Sequence, residues 1–101
     1  MIDIQRIDLI IQEGEGLTVE FKEHFSPRIV EDMVAFANTK GGVIILGVRD
    51  DKTVGGEELT NDLKARINSL GRNCSPPIQA NIRQINNLVV IDVPQGDEKP
   101  Y

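Results

Sequence analysis

The chain has 101 residues and a formal net charge of −5, which suits one compact acidic domain and not two. The charge excludes a coat that is basic throughout, although it leaves room for a local basic patch. Cys74 is the single cysteine, so an internal disulfide is excluded and a reducing compartment, the cytoplasm, is expected. Charged residues interrupt the apolar N-terminus, and no apolar run approaches the roughly 20 residues of a membrane span, so neither a signal peptide nor a membrane contact is predicted.

The N-terminal region predicts one helix and one strand. Isoleucines at spacings of three and four from Ile2 onward form an amphipathic pattern, and the helix is expected to stop at Gly14. Apolar and polar residues alternate from Leu17 to Phe21, which predicts a strand with Leu17, Val19 and Phe21 on one face.

The middle of the chain predicts a helix followed by a buried strand. Ser26 is the expected N-cap, because a serine hydroxyl accepts hydrogen bonds from the first free N–H groups of a helix. Pro27 is the expected first helical residue, because the N–H that proline lacks has no partner inside the helix at that position. The helix is expected to end within the loop Asn38–Gly42. The unbroken apolar run Val43–Leu46 then suits a short strand covered on both faces.

The C-terminal half predicts a helix and a strand hairpin. Apolar residues at spacings of four, four and three within residues 59–70 form a helical face, and Gly71 is the expected C′ residue. Residues 78–82 alternate as a half-solvated strand does, and residues 88–93 form the last strand. Asn86-Asn87 between them is a hairpin turn.

This order of elements predicts an α/β fold. We expect a single domain over residues 1–101, with a mixed sheet of about four strands and one layer of helices packed on it. The polar residues after Pro94 stop abruptly, which favours a segment of a longer protein.

Seven short motifs are distributed along the chain. They are Gly14-Glu15, Val19-Glu20-Phe21-Lys22, Ala35-Phe36-Ala37-Asn38-Thr39 with Gly41-Gly42, Leu46-Gly47-Val48 with Asp50-Asp51, Gly55, Ile91-Asp92-Val93-Pro94 and Lys99-Pro100-Tyr101. Together they resemble the Schlafen AlbA-type domain. Such domains are found at the N-terminus of bacterial proteins described as transcriptional regulators, ATP-dependent helicase-like proteins or divergent AAA ATPases, and a related domain in animal Schlafens cleaves RNA with carboxylates and a divalent metal. The resemblance implies contact with nucleic acid, DNA in the bacterial proteins, without implying one chemistry.

Candidate phosphate-binding groups lie in three polar loops, at residues 22–28, 38–42 and 49–52. The candidates are Lys22, Asn38, Thr39, Lys40, Gly41, Gly42, Arg49 and Lys52. Glycine amides and basic side chains bind phosphate, and we expect the three loops to gather at one end of the sheet. The alternative for residues 38–42 is an ordinary helix C-cap followed by a tight turn. That loop lacks the Walker spacing, so this segment alone is not predicted to be an ATPase.

Four carboxylates are the candidate ligands of a divalent metal. The resemblance to nuclease members implies a Glu, Glu, Asp set, in which Glu15 and Glu20 match the first two positions and Asp50 or Asp51 the third. Oxygen ligands suit Mg²⁺ or Mn²⁺, and these residues would then be both catalytic and metal-binding. The alternative is a solvated strand face with an ordinary Glu–Lys pair.

Three hypotheses for the function follow. The leading one is a nucleic-acid-binding module of a bacterial transcriptional regulator or helicase-like protein, and not an enzyme by itself. The second is a metal-dependent nuclease that uses the four carboxylates. The third is a homodimerisation domain that associates through exposed edge strands. His24 could assist proton transfer, but an exposed loop histidine without a chemical role is the favoured interpretation. Cys74 has no cysteine or histidine partner at zinc-ligand spacing and is expected to pack near a turn.

Overall fold

The computed structural model of the chain describes residues 4–97 and 100–101. In this part of the chain the elements are α1 (Ile4–Glu13), β1 (Val19–Lys22), α2 (Ile29–Ala37), β2 (Gly42–Leu46), α3 (Asn61–Arg72), β3 (Asn81–Ile85) and β4 (Leu88–Val93). The predicted order of elements is confirmed. Ile2 and Lys99, on which parts of the predictions fell, lie outside the described residues. None of the helices in the described ranges has the length and apolar character that crossing a membrane requires.

The four strands form one mixed sheet in the order β1-β2-β4-β3. β1 and β2 are parallel, whereas β4 is antiparallel to both of its neighbours. Asn86 turns the β3–β4 hairpin as predicted, with φ 54°, a left-handed conformation that asparagine tolerates. The predicted α/β fold with a mixed four-stranded sheet is therefore confirmed.

Helices cover both faces of this sheet. Successive residues of a strand point to opposite faces. In β2, Ile44 and Leu46 pack in one cluster with α2 and α3, whereas Ile45 packs in a second cluster with α1. The prediction of one helical layer is wrong, because both faces of the apolar central strands must be shielded from water and α1 covers the face that α2 and α3 leave open.

β1 starts later than predicted. Leu17, which was expected in the strand, lies in the preceding turn with its side chain 92% exposed, and the strand begins at Val19. Gly16 N–H donates to Val19 O at 3.1 Å and closes this turn before the strand ladder starts. The alternation from Leu17 onward therefore extends beyond the strand that forms.

α2 also starts later than predicted, at Ile29. Residues 26–28 form a separate turn, in which Ser26 Oγ accepts a hydrogen bond from Arg28 N at 3.2 Å. Arg28, which has no side-chain capping bond, occupies the N-cap position. Serine and proline thus build the turn that leads into the helix instead of its first residues.

Gly71 has a different role from the predicted one. α3 continues to Arg72, and Gly71 is buried in its last turn instead of following the helix. The segment after α3 folds back so closely that Ile78 N–H donates to Gly71 O at 2.9 Å, and a Cβ on Gly71 would overlap Ile78 O. Glycine is needed here for close backbone approach and not for a left-handed C-cap.

Candidate nucleic-acid interface

The parallel pairing of β1 with β2 determines which loops meet. Lys22 and Leu46, the last residues of the two strands, are register partners, and Gly47 N–H donates to Lys22 O at 2.8 Å. Loops 22–28 and 49–52 therefore leave the sheet on the same side. This side is called the carboxyl end below.

Loop 38–42 lies at the other end of the same strand pair. It leads into β2, whose first residue, Gly42, pairs with Val93. The prediction that three polar loops gather at one end is therefore wrong. The reason is topological, since one loop enters β2 and another leaves it.

At the carboxyl end, the basic side chains of Lys22 and Arg49 form ion pairs with carboxylates. Lys22 Nζ lies 3.5 Å from Glu20 Oε1 and 3.8 Å from Asp32 Oδ2. Arg49 Nε lies 3.6 Å from Glu23 Oε2. These pairs face solvent, so each stabilises the fold by no more than about 1 kcal/mol. Another anion can therefore replace the carboxylate in each pair.

Loop 49–52 is held by its own polar groups. Asp51 accepts hydrogen bonds from Thr53 N at 3.0 Å and from Thr53 Oγ1 at 2.6 Å, and the hydroxyl bond is the main cause that lowers the pKa of Asp51. Lys52 has φ 71°, and its Nζ lies 3.4 Å from Gln12 O, near the end of α1. Asp51 therefore stabilises the turn through these hydrogen bonds, and Lys52 connects the turn to α1.

Of the two predicted catalytic glutamates, Glu20 lies in β1 and Glu15 lies shortly before it. Glu15 Oε2 accepts the N–H of Phe21 at 2.9 Å. Burial raises the pKa of Glu20, the carboxylates of Glu15 and Asp32 raise it further, and Lys22 opposes them. The raised pKa of Glu20 is thus caused first by burial and then by the neighbouring acids.

Asp50 shares a small cleft with Glu15. The cleft measures about 100 Å³ and is also lined by Phe21, Arg49 and Lys52. Among residues 4–97 and 100–101, no three acidic, histidine or cysteine side chains are placed to hold one metal ion. Within this part of the chain, Glu15, Glu20, Asp50 and Asp51 are therefore not gathered into the three-carboxylate set that the family resemblance implies.

Loop 38–42 uses its polar groups to end α2. Thr39 N–H and Gly41 N–H both donate to Phe36 O, at 3.1 and 2.8 Å, and the Thr39 hydroxyl donates to Ala35 O at 3.0 Å. Gly41 adopts φ 79°, which glycine allows. The C-terminus of a helix also carries the negative end of its dipole. These contacts favour the helix-end interpretation of the loop over a phosphate cradle.

An open groove of about 770 Å³ lies next to this loop and was not anticipated from the sequence. Val19 and Val43 contribute apolar surface, while Thr18, Lys40 and Asn81 contribute polar groups. Lys40 forms no ion pair with the described residues. The sequence does not reveal the groove because its lining comes from α1, all four strands and the loops beside them, and no local pattern links these segments.

The histidine and the cysteine occupy ordinary surroundings. His24 is exposed, with Nδ1 3.6 Å from Glu57 Oε2 and Nε2 3.7 Å from Glu23 Oε2. Cys74 Sγ donates to Leu70 O at 3.4 Å, and burial raises the pKa of the Cys74 thiol. A raised thiol pKa disfavours the nucleophilic thiolate.

Comparison with known proteins identifies the family. The model of the family described as "Schlafen, AlbA_2" matches residues 15–101. None of the curated proteins matches the chain. Among solved structures, the DIP2311 protein from Corynebacterium diphtheriae is similar in fold, with a TM-score of 0.59 and 17% identity over 94% of this chain, which spans only 22% of that one. Because the family model covers most of its length, the chain belongs to the Schlafen AlbA_2 family, and that membership suggests a nucleic-acid-binding domain.

Proposed function

We propose that this domain binds the phosphate backbone of DNA through the carboxyl end of β1 and β2, as a module of a bacterial regulator or helicase-like protein. The observation that carries the proposal is that basic residues from separate segments lie at one end of a parallel strand pair. Lys22 ends β1, while Arg49 and Lys52 belong to the loop that follows β2. Arg28 stands at the start of α2.

The ion pairs at this end are compatible with such binding. The side chains of Lys22 and Arg49 are 39% and 49% exposed, and their carboxylate partners hold them weakly. A DNA phosphate can therefore replace a carboxylate as the partner of each cation. Because the carboxylates remain nearby, binding is expected to be weak, strongly salt-dependent and largely independent of base sequence.

A fluorescence titration with labelled duplex and single-stranded DNA tests the proposal. We expect Arg49→Gln to weaken duplex binding and to reduce the slope of log affinity against log salt by about 0.9, the value for one lost phosphate contact. Lys64→Gln is the matched control, because Lys64 is an exposed cation on α3. Absence of binding at low salt, or equal losses in the two variants, would overturn the proposal.

A further inference from the structure

The side chain of Asn38 holds a peptide backbone. Its Oδ1 accepts the N–H of Tyr101 at 2.6 Å, and its Nδ2 donates to Tyr101 O at 3.5 Å, although 63 residues separate the two. An amide that accepts from and donates to one residue reproduces the pairing of neighbouring strands. Asparagine carries both a donor and an acceptor at its tip, whereas aspartate at neutral pH carries acceptors alone.

A second hydrogen bond ties the same C-terminal segment to the same end of α2. Gly96 N–H donates to Ala37 O at 2.8 Å. Ala37 is the last residue of α2, and the last carbonyls of a helix have no partner inside the helix. Two consecutive residues at the helix end, Ala37 and Asn38, therefore hold Gly96 and Tyr101.

The ring of Tyr101 adds an apolar anchor to these polar contacts. It is partly buried against the core cluster of α2 and α3. A Cβ on Gly96 would overlap the ring, so glycine at this position leaves the space that the ring fills. Backbone recognition and ring burial thus act on the same segment.

We propose that the C-terminal end of α2 is a binding site for peptide backbone, with Asn38 as its receptor residue and the chain's own residues 94–97 and 100–101 as its ligand. This segment is called the strap. The contacts of Asn38 with the strap give the asparagine in loop 38–42 a role that does not involve phosphate. Pro94 and Gln95 of the strap also line the groove beside Lys40, so the site sets the path of the chain along that groove.

Intrinsic fluorescence reports on the strap directly. Tyr101 is the one tyrosine in the sequence, which has no tryptophan. Asn38→Leu removes both hydrogen bonds, whereas Asn38→Asp keeps the acceptor for Tyr101 N–H. We expect acrylamide to quench Tyr101 about two-fold more strongly in Asn38→Leu than in the native chain, as for a segment released by local opening, and to an intermediate degree in Asn38→Asp.

Two further variants make the test specific. Thr39→Ala, in the same loop, removes a hydroxyl that bonds to Ala35 and not to the strap, and native quenching is expected. Gly96→Ala fills the ring slot while Asn38 stays intact, and increased quenching is expected even if Asn38→Leu does not fold. Native quenching in folded Asn38→Leu, or in Gly96→Ala, would overturn the proposal. Duplex affinity should not change in Gly96→Ala, which separates this result from the fate of the proposed function.

Discussion

Glu20 shows how neighbouring charges act on a single residue at the carboxyl end. Burial raises its pKa, and the carboxylates of Glu15 and Asp32 add to that effect. Ionised Glu20 is therefore less favourable in the folded chain than in the unfolded chain. Its contribution to the free energy of unfolding is fully present below its ordinary pKa of 4.5 and is lost as pH rises through the higher folded-state value.

We expect Glu20→Gln to raise the free energy of unfolding at about pH 7 and to leave it unchanged at about pH 3, where Glu20 is protonated in both states. The gain should not exceed about 1 kcal/mol, because the side chain is 30% exposed and solvent screens its neighbours. Urea unfolding at the two pH values measures the difference. Glu31→Gln is the control, since Glu31 is 67% exposed beside Arg28, and a gain of equal size there would contradict the explanation.

Gly71 in helix α3 tests whether helix propensity or close packing determines the stability of that helix. A glycine in an exposed helix position is less favourable than alanine by about 1 kcal/mol, so helix propensity alone predicts that Gly71→Ala stabilises the protein. The overlap of the new Cβ with Ile78 O opposes this gain, and overpacking typically costs about 1–3 kcal/mol. We expect the packing cost to dominate and the variant to be less stable.

Chemical unfolding of Gly71→Ala beside Gly16→Ala checks this balance. A Cβ on Gly16 meets no atom within 4 Å, so the control should stay close to native stability. A Gly71→Ala protein that is more stable than the native chain would show that the segment after α3 can move away, and that close approach is not why glycine stands there.

The charge of the whole molecule bears on the proposed binding. The chain is acidic overall, and the carboxylate nearest to each cation competes with DNA phosphate for it. Glu23→Gln releases Arg49 from its partner, so we expect duplex affinity at low salt to rise by a few-fold, on the order of 1 kcal/mol. Asp62→Asn makes the same change in charge but releases Arg66 on α3, where Arg66 Nε lies 3.0 Å from Asp62 Oδ2. A fluorescence titration that finds equal rises for both variants would contradict a local site.

Much of the fold could be predicted because the governing patterns are local. The apolar run from Val43 and the run from Leu88 both became buried strands, and Asn86 turned the hairpin as expected. Gly14 ends α1 as predicted, with φ 89° and its N–H bonded to Ile10 O at 3.1 Å. In each case the side chains of a few consecutive residues decide the backbone conformation.

The candidate site was less predictable because its geometry depends on residues far apart in sequence. Lys22 meets Asp32 only when α2 packs on the sheet, and the partner of Asn38 lies 63 residues away. Nothing in the loop around Asn38 indicates whether its amide faces a phosphate or a peptide. Gly71 was misassigned for the same reason, because its contact with Ile78 cannot be read from the local sequence. It resembles a C-cap in sequence but is a packing position in the structure.

The order of elements, the buried central strand and the family resemblance were determined by the sequence alone, since residue spacing and short motifs specify them directly. Tertiary structure decided that helices cover both faces of the sheet and that the polar loops separate to its two ends. It also decided that Lys22 and Arg49 at the carboxyl end form ion pairs with carboxylates. These features depend on strand direction and on contacts between distant segments, which become defined only when the sheet has assembled.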